Sequence, residues 1–168
     1  ALDGDTAQRA SARARFGVDI TKAVRLEGGG GWSWSELSDA PHLFPFDLTL
    51  SLAPSPSVSI VASGGARVDE LDPGQIASDY PWASLPDPLQ DDPVVFGDLT
   101  ASYSFLQAFS LQAGAHLAWH RNELWPGTTR DADGLYPLLQ QDSTRLAVES
   151  SLRWTPARET FVAAAWRM

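Results

Sequence analysis

The sequence predicts an all-β chain, an antiparallel up-and-down barrel of about eight strands or an eight-strand segment of a larger barrel. Three observations predict it. Apolar and polar residues alternate with period two over segments of about ten residues, short turns and long loops join the segments by turns, and aromatic residues gather near segment ends.

Residues 1–9 are a small polar lead-in without pattern. The first hairpin follows. In its first arm Ala10, Ala12, Ala14, Phe16, Val18 and Ile20 share one face, with Ser11, Arg13, Arg15, Gly17, Asp19 and Thr21 on the other. After a short turn at Lys22, Val24, Leu26, Gly28, Gly30, Trp32 and Trp34 continue the apolar face, and Arg25, Glu27, Gly29, Gly31, Ser33 and Ser35 the polar one. A long connection over 36–43 carries Asp39 and Pro41. Alternation then resumes with Phe44, Phe46, Leu48, Leu50 and Leu52 against Asp47, Thr49 and Ser51. Pro54-Ser55-Pro56-Ser57 stops that arm, and the return places Val58, Ile60, Ala62, Gly64, Ala66 and Val68 opposite Ser59, Ser63, Gly65, Arg67 and Asp69.

Residues 70–93 carry Pro73, Pro81, Pro86, Pro88 and Pro93 and cannot be a sheet interior, so a long loop is expected there. The next hairpin sets Gly97, Leu99, Ala101, Tyr103 and Phe105 on one face, turns at 106–108, and returns with Phe109, Leu111, Ala113, Ala115, Leu117 and Trp119. Asp98, Thr100, Ser102, Ser104, Ser110, Gln112, Gly114, His116 and His120 line its polar side. A further long loop is expected over 121–142, with Pro126-Gly127, Asp133-Gly134 and Pro137. The last hairpin opposes Leu146, Val148, Leu152 and Trp154 to Arg145, Glu149 and Arg153, turns over 156–159, and returns through Val162, Ala164 and Trp166.

Composition narrows the function classes. With 168 residues, 43% apolar and 20% charged, the chain is expected to fold as one domain or a piece of one. It contains no Cys, which removes disulfides, thiol catalysis and Cys-based metal sites. A formal charge of −9 argues against a nucleic-acid partner, whose backbone demands a basic surface. Seven acids, Asp69, Glu70, Asp72, Asp79, Asp87, Asp91 and Asp92, crowd the Pro-rich loop, whereas arginines occupy polar positions of the alternating segments. Lys22 is the single lysine, which is unlike a face made for bulk water. No run approaches the roughly 18 apolar residues of a membrane helix, so any membrane role must use strands. The absence of an initiator Met and of a signal peptide suits either a mature exported chain or an excised fragment.

Alternating ten-residue segments with short turns at one end, long loops at the other and two aromatic bands are the pattern of a transmembrane β-barrel. Trp32, Trp34, Phe44, Phe46 and Trp119 stand beside the long loops, and Phe105, Phe109 and Trp154 beside the short turns. They read as interfacial girdles around a lipid-facing belt. The polar face mixes Arg13, Arg15, Arg25, Arg67, Arg153 and Arg167 with Asp19, Glu27, Asp47, Asp98, His116 and Glu149, a composition suited to a narrow, charge-paired lumen. In its alternation, its turns (TKAV, PSPSV, LQAF, PARET) and its Trp-flanked strands the chain resembles bacterial outer-membrane β-barrels. That resemblance implies an outer-membrane location, contact with the lipid bilayer and lipopolysaccharide, and passage of small solutes through the polar lumen. No motif selects one family, so no functional residues are carried over. A plugged barrel serving as an anchor or surface-binding scaffold is the alternative function, and a soluble β-sandwich binding module the second.

Barrels of this kind keep short turns periplasmic. With the Lys22 turn first in the chain, both ends are then expected to be extracellular, which suggests a segment of a larger barrel, a permuted barrel, or one completed by other chains.

No enzyme, cofactor or metal site is expected. His116 and His120 share a face but lie four residues apart, roughly 13 Å along a strand, too far to chelate one ion. Glu149 is a possible cross-strand partner for either histidine, and Ser102 or Ser104 for a hydrolase-like set, without any fixed geometry. Gly28 to Gly31 lacks the Lys-Ser/Thr end of a phosphate loop and is expected to allow bending or close approach by a neighbouring side chain. The acids of the Pro-rich loop lack calcium-loop spacing and read as a solvated, cation-attracting surface.

Overall fold

The structure, a computed structural model, describes residues 8–37, 42–105, 108–157 and 160–168. Most of the lead-in, part of the 36–43 connection and parts of the turns at 106–108 and 156–159 lie outside the described residues. In chain order the elements are β1 (Arg9–Thr21), β2 (Val24–Ser35), β3 (His42–Leu43), β4 (Phe46–Ser55), β5 (Val58–Asp69), α1 (Pro73–Asp79), β6 (Ala83–Ser84), β7 (Asp92–Phe105), β8 (Phe109–Pro126), β9 (Tyr136–Ala157) and β10 (Thr160–Arg167).

The long strands pair with their sequence neighbours in the order β1-β2-β4-β5-β7-β8-β9-β10, while β3 adds to β2 and β6 runs parallel to β9. Among the described residues β1 and β10 each have one hydrogen-bonded neighbour, so the sheet is open at both edges. No helix among the described residues is long and apolar enough to cross a membrane.

Register carries the alternation across the whole sheet. One rung joins Val18, Leu26, Leu50, Ala62, Leu99, Ala115 and Val148, all apolar. The adjacent rung joins Gly17, Glu27, Thr49, Ser63, Asp98, His116 and Ala147, polar or small. A slip of one residue in any pair would mix the two faces, so the sequence pattern fixes this register.

Two glycine positions show why the wall needs them. Gly28 lies under the Phe16 ring, which stands 2.7 Å from where a Cβ would be, and at Gly65 a Cβ would meet the Phe46 carbonyl oxygen at 2.1 Å. The first is the close approach expected of the glycine run; the second is backbone against backbone.

Among the described residues the sheet encloses no apolar core. Its apolar face is open, with Val18 53%, Leu99 51% and Leu146 66% exposed. Burial occurs instead at the long-loop end, where Ile76, Leu89 and Leu138 pack with the partly buried Leu71, Ala83, Leu85 and Leu124.

The 70–91 segment thus differs from an open loop. Asp72 caps α1 by accepting from the amides of Gly74 (2.8 Å) and Gln75 (3.2 Å), and Pro73 takes the first helical position, where no amide is needed. β7 begins at Asp92, with Pro93 tolerated at the strand start. The loop expected over 121–142 narrows to 127–135, because the ladder continues past a bulge between His120 and Glu123 to the pair Pro126 and Leu138. The extra residue breaks the period of two and imitates a strand end. Arg9, at the close of the expected lead-in, already belongs to β1.

Candidate functional site

The polar face is knitted by ion pairs within strands and between neighbouring and next-neighbouring strands. Arg13 on β1 pairs with Asp47 on β4 across β2. Gly29 between them leaves room: a Cβ there would stand 3.1 Å from Arg15 Cγ and 3.2 Å from Asp47 Oδ1. Arg25 donates to Asp19 (3.0 Å) and Glu27 (2.8 Å), and Arg67 to Asp69 (2.8 Å) while lying over the Phe96 ring. Arg145 pairs with Glu123. Asp98 engages His116 and receives Ser63 Oγ at 3.4 Å.

Glu149 stands opposite Gly114 on one side and Arg167 on the other. Together with Asp98, Thr100 and His116 these residues line a hollow of about 200 Å³. Arg153 sits opposite Ser110 and Ala163. The histidines therefore find aspartates, Asp98 and Asp92, in place of Glu149. Ser102 and Ser104 pair with Gln112 and Ser110, so no hydrolase-like set with either histidine is assembled among the described residues.

Two aromatic groups occupy the apolar face. At the short-turn end Tyr103, Phe105, Phe109 and Trp154 stack in a ladder across β7, β8 and β9, with successive centroids 5.6, 5.4 and 5.9 Å apart. Tyr103 extends the band read from the sequence. At the other end Trp32 stacks on His42 at 5.8 Å and donates Nε1–H to its Nδ1 at 3.1 Å. Phe44, Phe46 and Trp119 are exposed there, and Trp34 is half-buried opposite Ala10.

The 70–91 segment is seated on the polar face. Asp91 is fully buried and accepts from Arg9 Nη2 (2.9 Å), the Leu71 amide (2.9 Å) and Ser35 Oγ. On the other flank Gln90 and Gln140 exchange hydrogen bonds at 2.9 and 2.5 Å, and β6 pairs with β9. Flat, β7 and β1 would be about 19 Å apart at the usual strand spacing, so the Asp91–Arg9 contact requires a strongly curled sheet with its polar side inward. Asp92, Val94 and Ala118 are buried on that side. Burial of Asp91 and Asp92 corrects the expectation of a solvated acidic loop: these carboxylates are structural anchors, stable only because each is bonded.

Asp131, in the 127–135 connection, ties it to the cap. It accepts from Ser84 Oγ (2.7 Å) and from the amides of Asp133 (3.0 Å) and Leu135 (2.9 Å), and the Ser84 bond foremost holds its carboxyl below the ordinary carboxylate value. Beside it Trp82 meets Tyr80 and Tyr136 edge to face, and Arg130 lies 5.2 Å from the Tyr136 ring centroid.

No protein-family model matches the sequence, and no curated protein matches it either. Among solved structures it is similar to the ferric enterobactin receptor PfeA of Pseudomonas aeruginosa. A G324V mutant of that receptor superposes with a TM-score of 0.69 at 15% identity, over 94% of this chain and 26% of the receptor. Its complex with BCV-L6 gives 0.70 at the same identity and coverage, and its R480A/Q482A mutant 0.60 at 14% identity over 96% and 32%. The chain thus spans about a quarter of the receptor's length. The fold is that of a bacterial outer-membrane β-barrel wall, in keeping with the outer-membrane location that the sequence pattern implies.

Proposed function

We propose that the chain forms part of the wall of a larger outer-membrane barrel that takes up solutes through a polar interior, with the 70–91 segment folded over the mouth. One observation carries the reading. The polar face is concave, charge-paired and covered at one end by a loop, while the large side chains of the apolar face are exposed or half-exposed along the strands. In water such an apolar surface would associate; in a bilayer it is solvated by lipid and lipopolysaccharide tails. Further strands, from the same or another chain, pair with the free edges of β1 and β10. Similarity in fold to a ferric enterobactin receptor supports uptake as the activity, and no catalytic step is assigned to any residue.

The anchored cap favours a gated mouth over a permanently open pore. Planar-bilayer conductance of the intact barrel is the test. Removing residues 73–89 is expected to raise conductance severalfold; silence before and after deletion would contradict passage and leave the anchor or scaffold role.

A further inference from the structure

We propose that Asp69, Asp92 and His120 form a binding site for a divalent transition-metal ion of the zinc class at the rim of the polar face. The three come from adjacent strands, β5, β7 and β8, and offer ligand atoms that all lie within 4.8 Å of one another. Register explains the convergence: Asp69 stands directly opposite Asp92, and His120 opposite Val94, two residues further along β7.

Two carboxylates directly opposed on one face repel, so their pairing needs a counter-charge. Among the described contacts Arg67, bonded to Asp69 at 2.8 Å, supplies one, and the His120 ring stands 2.7 Å from Asp92 Oδ2. A divalent ion neutralises both acids. Asp92 is already oriented for one: the amides of Arg121 (3.0 Å) and Asn122 (2.9 Å) hold Oδ1 from outside the triad and turn Oδ2 toward His120. Zinc bound at about 2.0–2.2 Å to nitrogen and oxygen needs ligand atoms roughly 3.4 Å apart, so the His120–Asp92 contact opens by about 0.7 Å and a pair at the 4.8 Å limit closes by about 1.4 Å. Asp69 is half-exposed and leaves the fourth position open to water or to an incoming ligand. An imidazole with two carboxylates suits zinc and its neighbours, whereas calcium prefers six to eight oxygens. Arg67 keeps its place over Phe96 when the ion takes Asp69. Sequence spacing hides this site because its members are 23 and 28 residues apart along the chain.

The test is calorimetric titration of the metal-stripped barrel protein in detergent with Zn²⁺ alone, and separately with Ca²⁺. One zinc per chain is expected, with affinity falling at least tenfold in both His120→Gln and Asp69→Asn and unchanged in Asp98→Asn, which removes the other aspartate–histidine pair. Because Asp69 is half-exposed, its variant keeps the fold and makes the reading independent of the buried members. Co²⁺ substitution gives a visible absorption band that His120→Gln abolishes. Absence of saturable zinc binding, parent-like zinc affinity in either His120→Gln or Asp69→Asn, or tighter calcium than zinc binding would overturn the site.

Discussion

Asp91 shows how one side chain holds the cap in place. It joins Arg9 and Ser35 to Leu71 from a fully buried position, so Asp91→Ala takes the acceptor from the Leu71 amide and the Ser35 hydroxyl, leaves Arg9 to the Leu71 carbonyl and Glu70, and is expected to weaken seating of the cap by about 2 kcal/mol. Protease nicking within 70–91 should rise while the barrel's far-ultraviolet dichroism stays unchanged. Asp131 makes a second, pH-dependent anchor. Its carboxyl is depressed in the folded state, so the stabilisation it gives is present above the ordinary value of 3.8 and lost as pH falls through the lower folded value. Spin labels at Asp87→Cys and Ala132→Cys should keep a fixed separation down to about pH 4 and spread below it, and Asp131→Asn should show the broad distribution at every pH. Neither role was legible in the sequence. Asp91 and Arg9 are 82 residues apart, and an acid among six others reads as solvated until the chain is seen to return.

Among the elements, the strands were legible and their ends were not. Alternation reports which face a residue occupies, and it does so for every long strand because each has one face toward a different medium. It fails where the period breaks. The bulge after His120 shifted the parity and hid the upper parts of β8 and β9, and α1 is too short for its own periodicity, though Asp72-Pro73 is a helix-start signal in hindsight. The glycines give an element-scale prediction. Gly65→Val drives a side chain into the Phe46 carbonyl and the Asp47 Cα and is expected to prevent assembly, whereas Gly30→Ala, with no atom within 4 Å, should assemble like the parent. Heat-modifiable electrophoretic mobility separates folded barrel from unfolded chain in both.

At the scale of the whole molecule, the two faces decide everything else. β9 has 22 residues, roughly 73 Å of extended chain, about twice what a tilted strand needs to cross a hydrocarbon layer, so in the proposed barrel its upper half, which pairs with β6, stands clear of the bilayer. On the proposed reading the aromatic bands, the ion-paired polar face and the buried loop anchors all follow from lipid on one side and water on the other. Absence of cysteine makes this directly measurable. Single cysteines placed at Leu99, Thr100, Ala101 and Ser102 on β7, in the protein in outer-membrane vesicles, are probed with a small, charged, membrane-impermeant thiol reagent. The account predicts labelling at Thr100→Cys and Ser102→Cys and protection at Leu99→Cys and Ala101→Cys; labelling of all four, or of the apolar pair alone, would contradict it.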